Sequence, residues 1–205
     1  MPGIPKAEQS QQTREILLRA ARKLFTEKGY ASTSTEEIVQ RAHVTRGALY
    51  YHYRDKTDIF KAVFEEVRLE RVRLITETIQ AAEGDPWQRF AGAGFQVFLE
   101  TIRDPDVQRI VFTDGPAVLG LAVVRDNSPG LIFLRNTLTH LMDTGEVEQI
   151  PVGPLSAILW AALFESGMYV AHAAPDDAAR VQEEATDILQ RIFSVLRTAP
   201  QQETT

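Results

Sequence analysis

The densest group of side chains able to do chemistry lies at residues 43–56, HVTRGALYYHYRDK. It holds Thr45, Arg46, Tyr50, Tyr51, His52 and Lys56, with Gly47 among them. Their common property is hydrogen bonding to anionic or polar oxygen. A guanidinium reaches the O6/N7 edge of guanine or a phosphate. Tyrosine hydroxyls and an imidazole donate to phosphate and sugar, and a threonine at a helix start can bond to either base or phosphate. Gly47 disfavours a helix by about 1 kcal/mol relative to alanine. It is useful where a bare backbone must come close to another surface. Lys56 falls at a predicted helix start, where unpaired N–H groups and the positive dipole end favour a phosphate. Duplex DNA fits such a face, and so does a partner protein.

The elements that must carry these residues are short. Ser34 with Glu37 makes a capping box that opens a helix over 35–42, with Ile38, Val39 and Ala42 apolar. His43 and Val44 turn the chain, and Thr45 caps a second helix over 46–52. Two short helices joined by a turn of about three residues form a helix-turn-helix, whose second helix enters a DNA major groove. Upstream, Ile16, Leu17, Ala20, Ala21, Leu24 and Phe25 form one helical stripe that stops at Lys28-Gly29. Downstream, Asp55 caps a long helix with Asp58 at the box position. Its stripe is Ile59, Phe60, Val63, Phe64, Val67 and Leu74, and it runs to about Ala82.

The residues of 13–64, above all AARKLFTEKGY, TSTEEIVQRA and VTRGALYYHYRDK, closely resemble the N-terminal domain of the TetR family of bacterial transcriptional regulators. The resemblance covers about a quarter of the chain. It implies a homodimer, an all-helical C-terminal domain that binds a small effector, and repression as the usual outcome. It places Thr45, Arg46, Gly47 and Ala48 at the base-reading positions. Tyr50, Tyr51, His52 and Lys56 match the backbone-contacting ones, and Thr35 and Glu36 a region that touches phosphate or base. Glu36 suits that role only by accepting from cytosine N4, since phosphate repels a carboxylate. The sequence departs from the family at His43, where the turn usually has glycine. A left-handed residue there costs roughly 1–2 kcal/mol.

Further helices are expected over about 86–103, 105–113, 129–142, 154–173 and 176–197, with DGP at 114–116 and NSPG at 127–130 as breaks. Ser128 and Pro129 open the third of these, and Thr144-Gly145 closes it. The last helix carries a stripe of Ala178, Val181, Ala185, Ile188, Leu189, Ile192 and Val195. The fold is therefore all-α with about nine helices. A helix-turn-helix domain spans 1–55, and an effector-binding and dimerisation domain spans 56–205. In the family the last two helices pair with their twins as a four-helix bundle. Candidate pocket liners are Trp87, Phe95, Phe98, Phe112, Phe133, Trp160 and Phe164, which suit an apolar or aromatic effector. Glu165 and His172 share a helix face, for an interface or for orienting a ligand. Asn136 and His140 lie opposite the leucine stripe, towards solvent.

Segment 155–174 is long and mostly apolar, but Glu165 and His172 within it argue against a membrane span. The start, MPGIPKAEQSQQTR, lacks the apolar core of a signal peptide, and the tail TAPQQETT is expected to be disordered. No cysteine is present, which fits a reducing cytoplasm. The four histidines have no metal-ligand spacing, and neither a phosphate loop nor a nucleophile elbow is found. An enzyme, a metal and a cofactor are accordingly not expected. Net charge is −6, yet residues 1–70 hold 12 Lys and Arg against 10 Asp and Glu. The front third is where an anionic partner is tolerated. The rival to a DNA-binding regulator is a helical small-molecule or protein binding protein that ignores DNA.

Overall fold

A computed structural model describes residues 6–126 and 128–197. The expected disordered tail, 198–205, lies outside the described residues. By contact the chain divides into two compact units. One ends at Val67 and takes in Pro105–Val124; the other holds Arg68–Asp104 and the chain from Arg125 onward. The division expected at 55/56 follows the order of the sequence. The contact units instead keep the first turns of the long fourth helix with the helix-turn-helix, because its apolar face is buried there.

In the first unit, α1 (Lys6–Lys28), α2 (Thr35–Ala42), α3 (Arg46–His52) and the start of α4 (Lys56–Ala81) enclose one core. Leu17, Phe25, Ile38, Leu49, Ile59, Phe60 and Phe64 are fully buried in it. Phe25 meets Phe60 edge-on at 5.1 Å between ring centres. Two stripe assignments are corrected. Ile16 faces outward and Leu18 is buried in its stead, and Leu74 is exposed. Asp55 caps α4 by accepting from the Asp58 N–H at 2.8 Å. Asp58 accepts from the Arg54 N–H, one residue before the cap, so the reciprocal box is not formed.

Pro105–Val124 packs with this unit. A π-helical stretch, Val107–Asp114, leads into α7 (Gly115–Leu119), followed by α8 (Leu121–Arg125). DGP therefore does not break the helix. The Gly115 N–H reaches back to Ile110 O, the π pattern. A Cβ at Gly115 would lie 2.6 Å from the Phe64 ring, so the close approach needs glycine. Asp106 accepts from Arg22 and Thr26, and Asp114 from the Tyr30 N–H, fastening the segment to α1.

In the second unit, the helix expected over about 86–103 has three parts. These are α5 (Pro86–Gln88), a π-helical stretch Arg89–Gly94, and α6 (Phe95–Ile102). Gly94 lacks the Cβ that would lie 2.5 Å from Ile79. Phe90 and Phe95, at either end of the stretch, both lie against Phe193, at 6.0 and 5.4 Å between ring centres. The remaining helices are α9 (Pro129–Asp143), α10 (Val152–Ala171) and α11 (Ala178–Ser194). Every expected helical segment forms, and α7 and α8 are additions. Ser128 precedes α9 without a side-chain cap bond. Its hydroxyl is buried with no partner among the described residues.

The last helix corrects its predicted stripe. Val181, Gln182, Leu189 and Phe193 are buried, while Ile188, Ile192 and Val195 face out. α10 likewise buries Leu159, Leu163 and Val170 and exposes Ile158 and Tyr169. By length and composition α10 could cross a membrane. Among the described residues there is no strand, only the bridge pair Val147–Arg197.

Candidate nucleic-acid interface

Local rules build the helix-turn-helix. Ser34 Oγ accepts from the Glu37 N–H at 3.2 Å, and Glu37 accepts from the Ser34 N–H at 2.9 Å. Lys28 donates to the same Glu37 carboxylate. Lys28 and the two Ser34 donors hold the Glu37 carboxyl well below the usual range, at about 2. α2 ends at His43, whose φ of 53° and ψ of 39° are left-handed, the sole positive φ outside glycine among the described residues. Thr45 Oγ1 then accepts from the Ala48 N–H at 3.2 Å and starts α3.

Leu49 locks α3 into the core, and Tyr53, just past its end, buries its ring as well. Burial pushes the Tyr53 phenol up, and its hydroxyl has no partner among the described residues. The opposite face carries Thr45, Arg46, Gly47, Tyr50 and Tyr51 into solvent. Tyr51 is 79% exposed, far beyond what a core aromatic shows. A Cβ on Gly47 would meet only Thr45 Oγ1, at 3.9 Å, so nothing inside the protein requires glycine there.

Arg46 is held by two neighbours. It lies 3.1 Å from the Glu36 carboxylate and 5.5 Å above the Tyr50 ring centre, and its pKa is raised chiefly by the Tyr50 hydroxyl, with Glu36 adding to it. Hydrogen bonds from Thr35 and Arg46 keep the Tyr50 phenol below its ordinary range. Thr35, Glu36, Arg46 and Tyr50 thus form one polar cluster across the two helices. Lys56 differs from its expected setting. Its ammonium donates to the carbonyls of Tyr30 and Thr33, at 2.8 and 2.9 Å, and stands over the Tyr30 ring. It ties the loop after α1 to α4, leaving one N–H for an outside group. Arg54, which sequence reasoning passed over, is strongly exposed beside Asp58.

In the second unit lies a cavity of about 60 Å³ walled only by apolar side chains and two glycines. Of the seven expected liners, Phe95, Phe98, Phe133 and Trp160 line it, and Trp87, Phe112 and Phe164 do not. Phe112 is buried within the first unit, Trp87 packs on Phe90, and Phe164 lies tilted beside Trp160. Val72, Ile75, Phe90, Leu134, Leu163 and Phe193 complete the wall with the glycines, and the aliphatic Val72 and Ile75 of α4 carry no distinguishing signal in the sequence. Gly130 lets Trp160 come close to α9, for a Cβ there would be 2.5 Å from the indole. Glu165 on α10 and His172 just past its end are both exposed, as are Asn136 and His140 on α9. Among the described residues no group of three His, Asp or Glu could hold a metal.

Residues 17–63 match the family model described as bacterial regulatory proteins, tetR family, and residues 87–196 match the tetracyclin repressor-like C-terminal domain. The HTH-type transcriptional regulator AcrR of Shigella flexneri is 30% identical over 66% of this chain and 67% of its own length. The HTH-type transcriptional repressor BepR of Brucella suis is 32% identical over 53% of this chain, and the chain spans only 51% of it. A TetR-family transcriptional regulator from Pectobacterium atrosepticum superposes with a TM-score of 0.83 at 28% identity, over 97% of this chain and 100% of its own. RolR, solved with resorcinol, shares the fold at 19% identity and a TM-score of 0.66, over 91% and 90% of the two chains. With the C-terminal model alone covering more than half of its length, the chain belongs to the TetR family of bacterial regulatory proteins.

Proposed function

We propose that the chain is a transcriptional repressor that grips a palindromic DNA operator as a homodimer and leaves it when a small apolar or aromatic effector binds. The observation that carries the DNA half is the outward face of α3. It bears Arg46, Tyr50 and Tyr51 around a glycine that the protein itself does not need. In this reading Thr45, Arg46, Gly47 and Ala48 meet base edges, while Thr35, Tyr50, Tyr51 and His52 meet the sugar–phosphate backbone. Lys56 adds its remaining N–H to a phosphate. The N-terminal 1–55 act as the DNA-binding domain and 56–205 as the regulatory one, in the bacterial cytoplasm.

Dimerisation through α10 and α11 is supported by their exposed apolar residues, Ile158, Tyr169, Ile188 and Ile192. That pairing, not a bilayer, is the reading of the long apolar α10. A twofold dimer sets two recognition helices about 34–36 Å apart, one turn of the duplex. The effector site is the cavity lined by Phe95, Phe98, Phe133 and Trp160. Val72 and Ile75 on its wall belong to α4, the helix whose first turns lie in the DNA-binding unit. A displaced α4 would change operator affinity, and coupling of about 1–3 kcal/mol gives roughly 5–150-fold release.

The test is selection of bound duplexes from a random pool at about 150 mM salt, an ionic strength that screens loose association. A palindrome with half-sites one turn apart is expected. A folded protein that enriches no sequence would instead be a helical binding protein that ignores DNA.

A further inference from the structure

α1 is longer than its packing requires. From Ala7 to Ile16 no residue is buried, and the first buried position is Leu17. The face that carries Leu17 and Ala21 into the core continues towards the N-terminus as Arg14, Ser10 or Gln11, and Ala7, at helical spacing. An overhang of nearly three turns with no buried residue gains little from helix propensity alone.

This overhang faces α3 across a groove of about 690 Å³. Ser10, Gln11 and Arg14 line one wall and Ala48, Tyr51 and His52 the other, and no lining residue is acidic although the chain is negative overall. Arg14 is exposed and forms no ion pair among the described residues. The Gln11 amide donates to Glu15, which leaves its carbonyl and one N–H for an outside group. Hydroxyls, amides and a guanidinium are the groups that hold DNA through its sugar–phosphate backbone.

We infer that the first three turns of α1 are a second DNA-binding wall, and that the groove between Arg14 and Tyr51 seats one sugar–phosphate strand beside the major groove entered by α3. The inference rests on reading α3 as the recognition helix. A strand that touches Tyr51 and His52 from one side meets Arg14 from the other. Arg14 neutralises a phosphate, so the contact strengthens binding without reading sequence.

The experiment measures operator affinity from about 50 to 300 mM salt for the unaltered full chain and for Arg14→Ala, Gln11→Glu and Arg46→Ala, with thermal melting of each. Arg14→Ala is expected to melt normally and to bind selected and scrambled duplexes alike roughly 3–10-fold more weakly. Its slope of log K against log salt should be shallower by about 0.9 for each protomer bound. Gln11→Glu, which sets a carboxylate opposite the strand, should weaken binding further. If Arg46→Ala abolishes operator preference while Arg14→Ala and Gln11→Glu keep affinity and slope, the second wall does not exist and the recognition helix stands. If the unaltered chain binds no duplex, both readings fall together.

Discussion

Arg46 on α3 lies 3.1 Å from the Glu36 carboxylate on α2, so the cation proposed to read a base is held by an anion of its own chain. Glu36 is itself kept ionised by its own backbone N–H and the Thr35 hydroxyl, with Arg46 adding to both. In the proposed DNA complex the guanidinium would leave this partner, and the carboxylate would then stand near phosphates. Glu36→Gln removes both costs. Affinity for scrambled duplex should rise roughly 3–10-fold, with a smaller gain on the operator and hence a lower specificity ratio. Parallel titrations on the two duplexes decide it. Equal affinity before and after would mean that the pair opens freely in solution.

Gly47 separates stability from binding. Alanine fits the space, since its Cβ would meet only Thr45 Oγ1 at 3.9 Å. Gly47→Ala should therefore stabilise the domain by about 0.5–1 kcal/mol. The same methyl projects from the outer face of α3, and operator binding should fall more than about tenfold. A melting curve and a binding isotherm on one preparation test both halves.

His43 is the reverse case. With φ at 53° it occupies a region that glycine enters freely. His43→Gly should raise stability by up to ~1 kcal/mol, visible as a melting temperature higher by a few degrees. A lower melting temperature would show that the imidazole makes a contact worth more than the backbone strain.

Glu37 makes acid sensitivity specific. Its folded pKa is about 2 against an ordinary 4.5. A carboxyl depressed on folding stabilises above the unfolded value and loses that contribution as pH falls through the folded one. Melting temperatures of the unaltered chain and of Glu37→Gln should differ at pH 7, and the gap should close between about pH 4.5 and 2. Lys28→Met should narrow the same gap, because Lys28 is the largest cause of the shift.

The exposed stripes of α10 and α11 predict a dimer that can be split. Ile158 and Ile188 are open to solvent in the protomer, so Ile158→Asp with Ile188→Asp should leave its fold and melting profile intact. Sedimentation should then show a monomer, and operator binding should become weak because two half-sites are no longer linked. A variant that remains dimeric would move the interface elsewhere.

The helix-turn-helix was legible because short-range chemistry makes it. The Ser34–Glu37 box, the Thr45 cap and the left-handed turn at His43 each depend on residues within five positions. Helical periodicity was less informative about partners. It marks Ile188 and Leu189 equally as apolar, yet one is buried in the protomer and the other faces outward. Phe112 shows a further limit. Nothing near it in sequence tells that its helix joins the first unit, which the Arg22–Asp106 and Tyr30–Asp114 bonds bring about over 84 residues. The π-helical stretches were invisible for a similar reason, since Gly115 and Gly94 answer to Phe64 and Ile79, which belong to another helix. Lys56 was assigned from its place at a helix start, but its ammonium is drawn to the Tyr30 and Thr33 carbonyls.

The stretch Arg89–Gly94 also governs angular phase. In a regular α-helix, residues five apart point about 140° away from one another. Phe90 and Phe95 nevertheless both lie against Phe193, because the wider turn returns the chain to the same side after five residues. Losing one residue from this stretch would hardly shorten the helix. It would turn everything after it by about 100° and carry Phe95 and Phe98 away from the cavity they line. The added residue acts as a fixed gear tooth, so the shape of the cavity is written partly in the length of the helix and not only in its side chains.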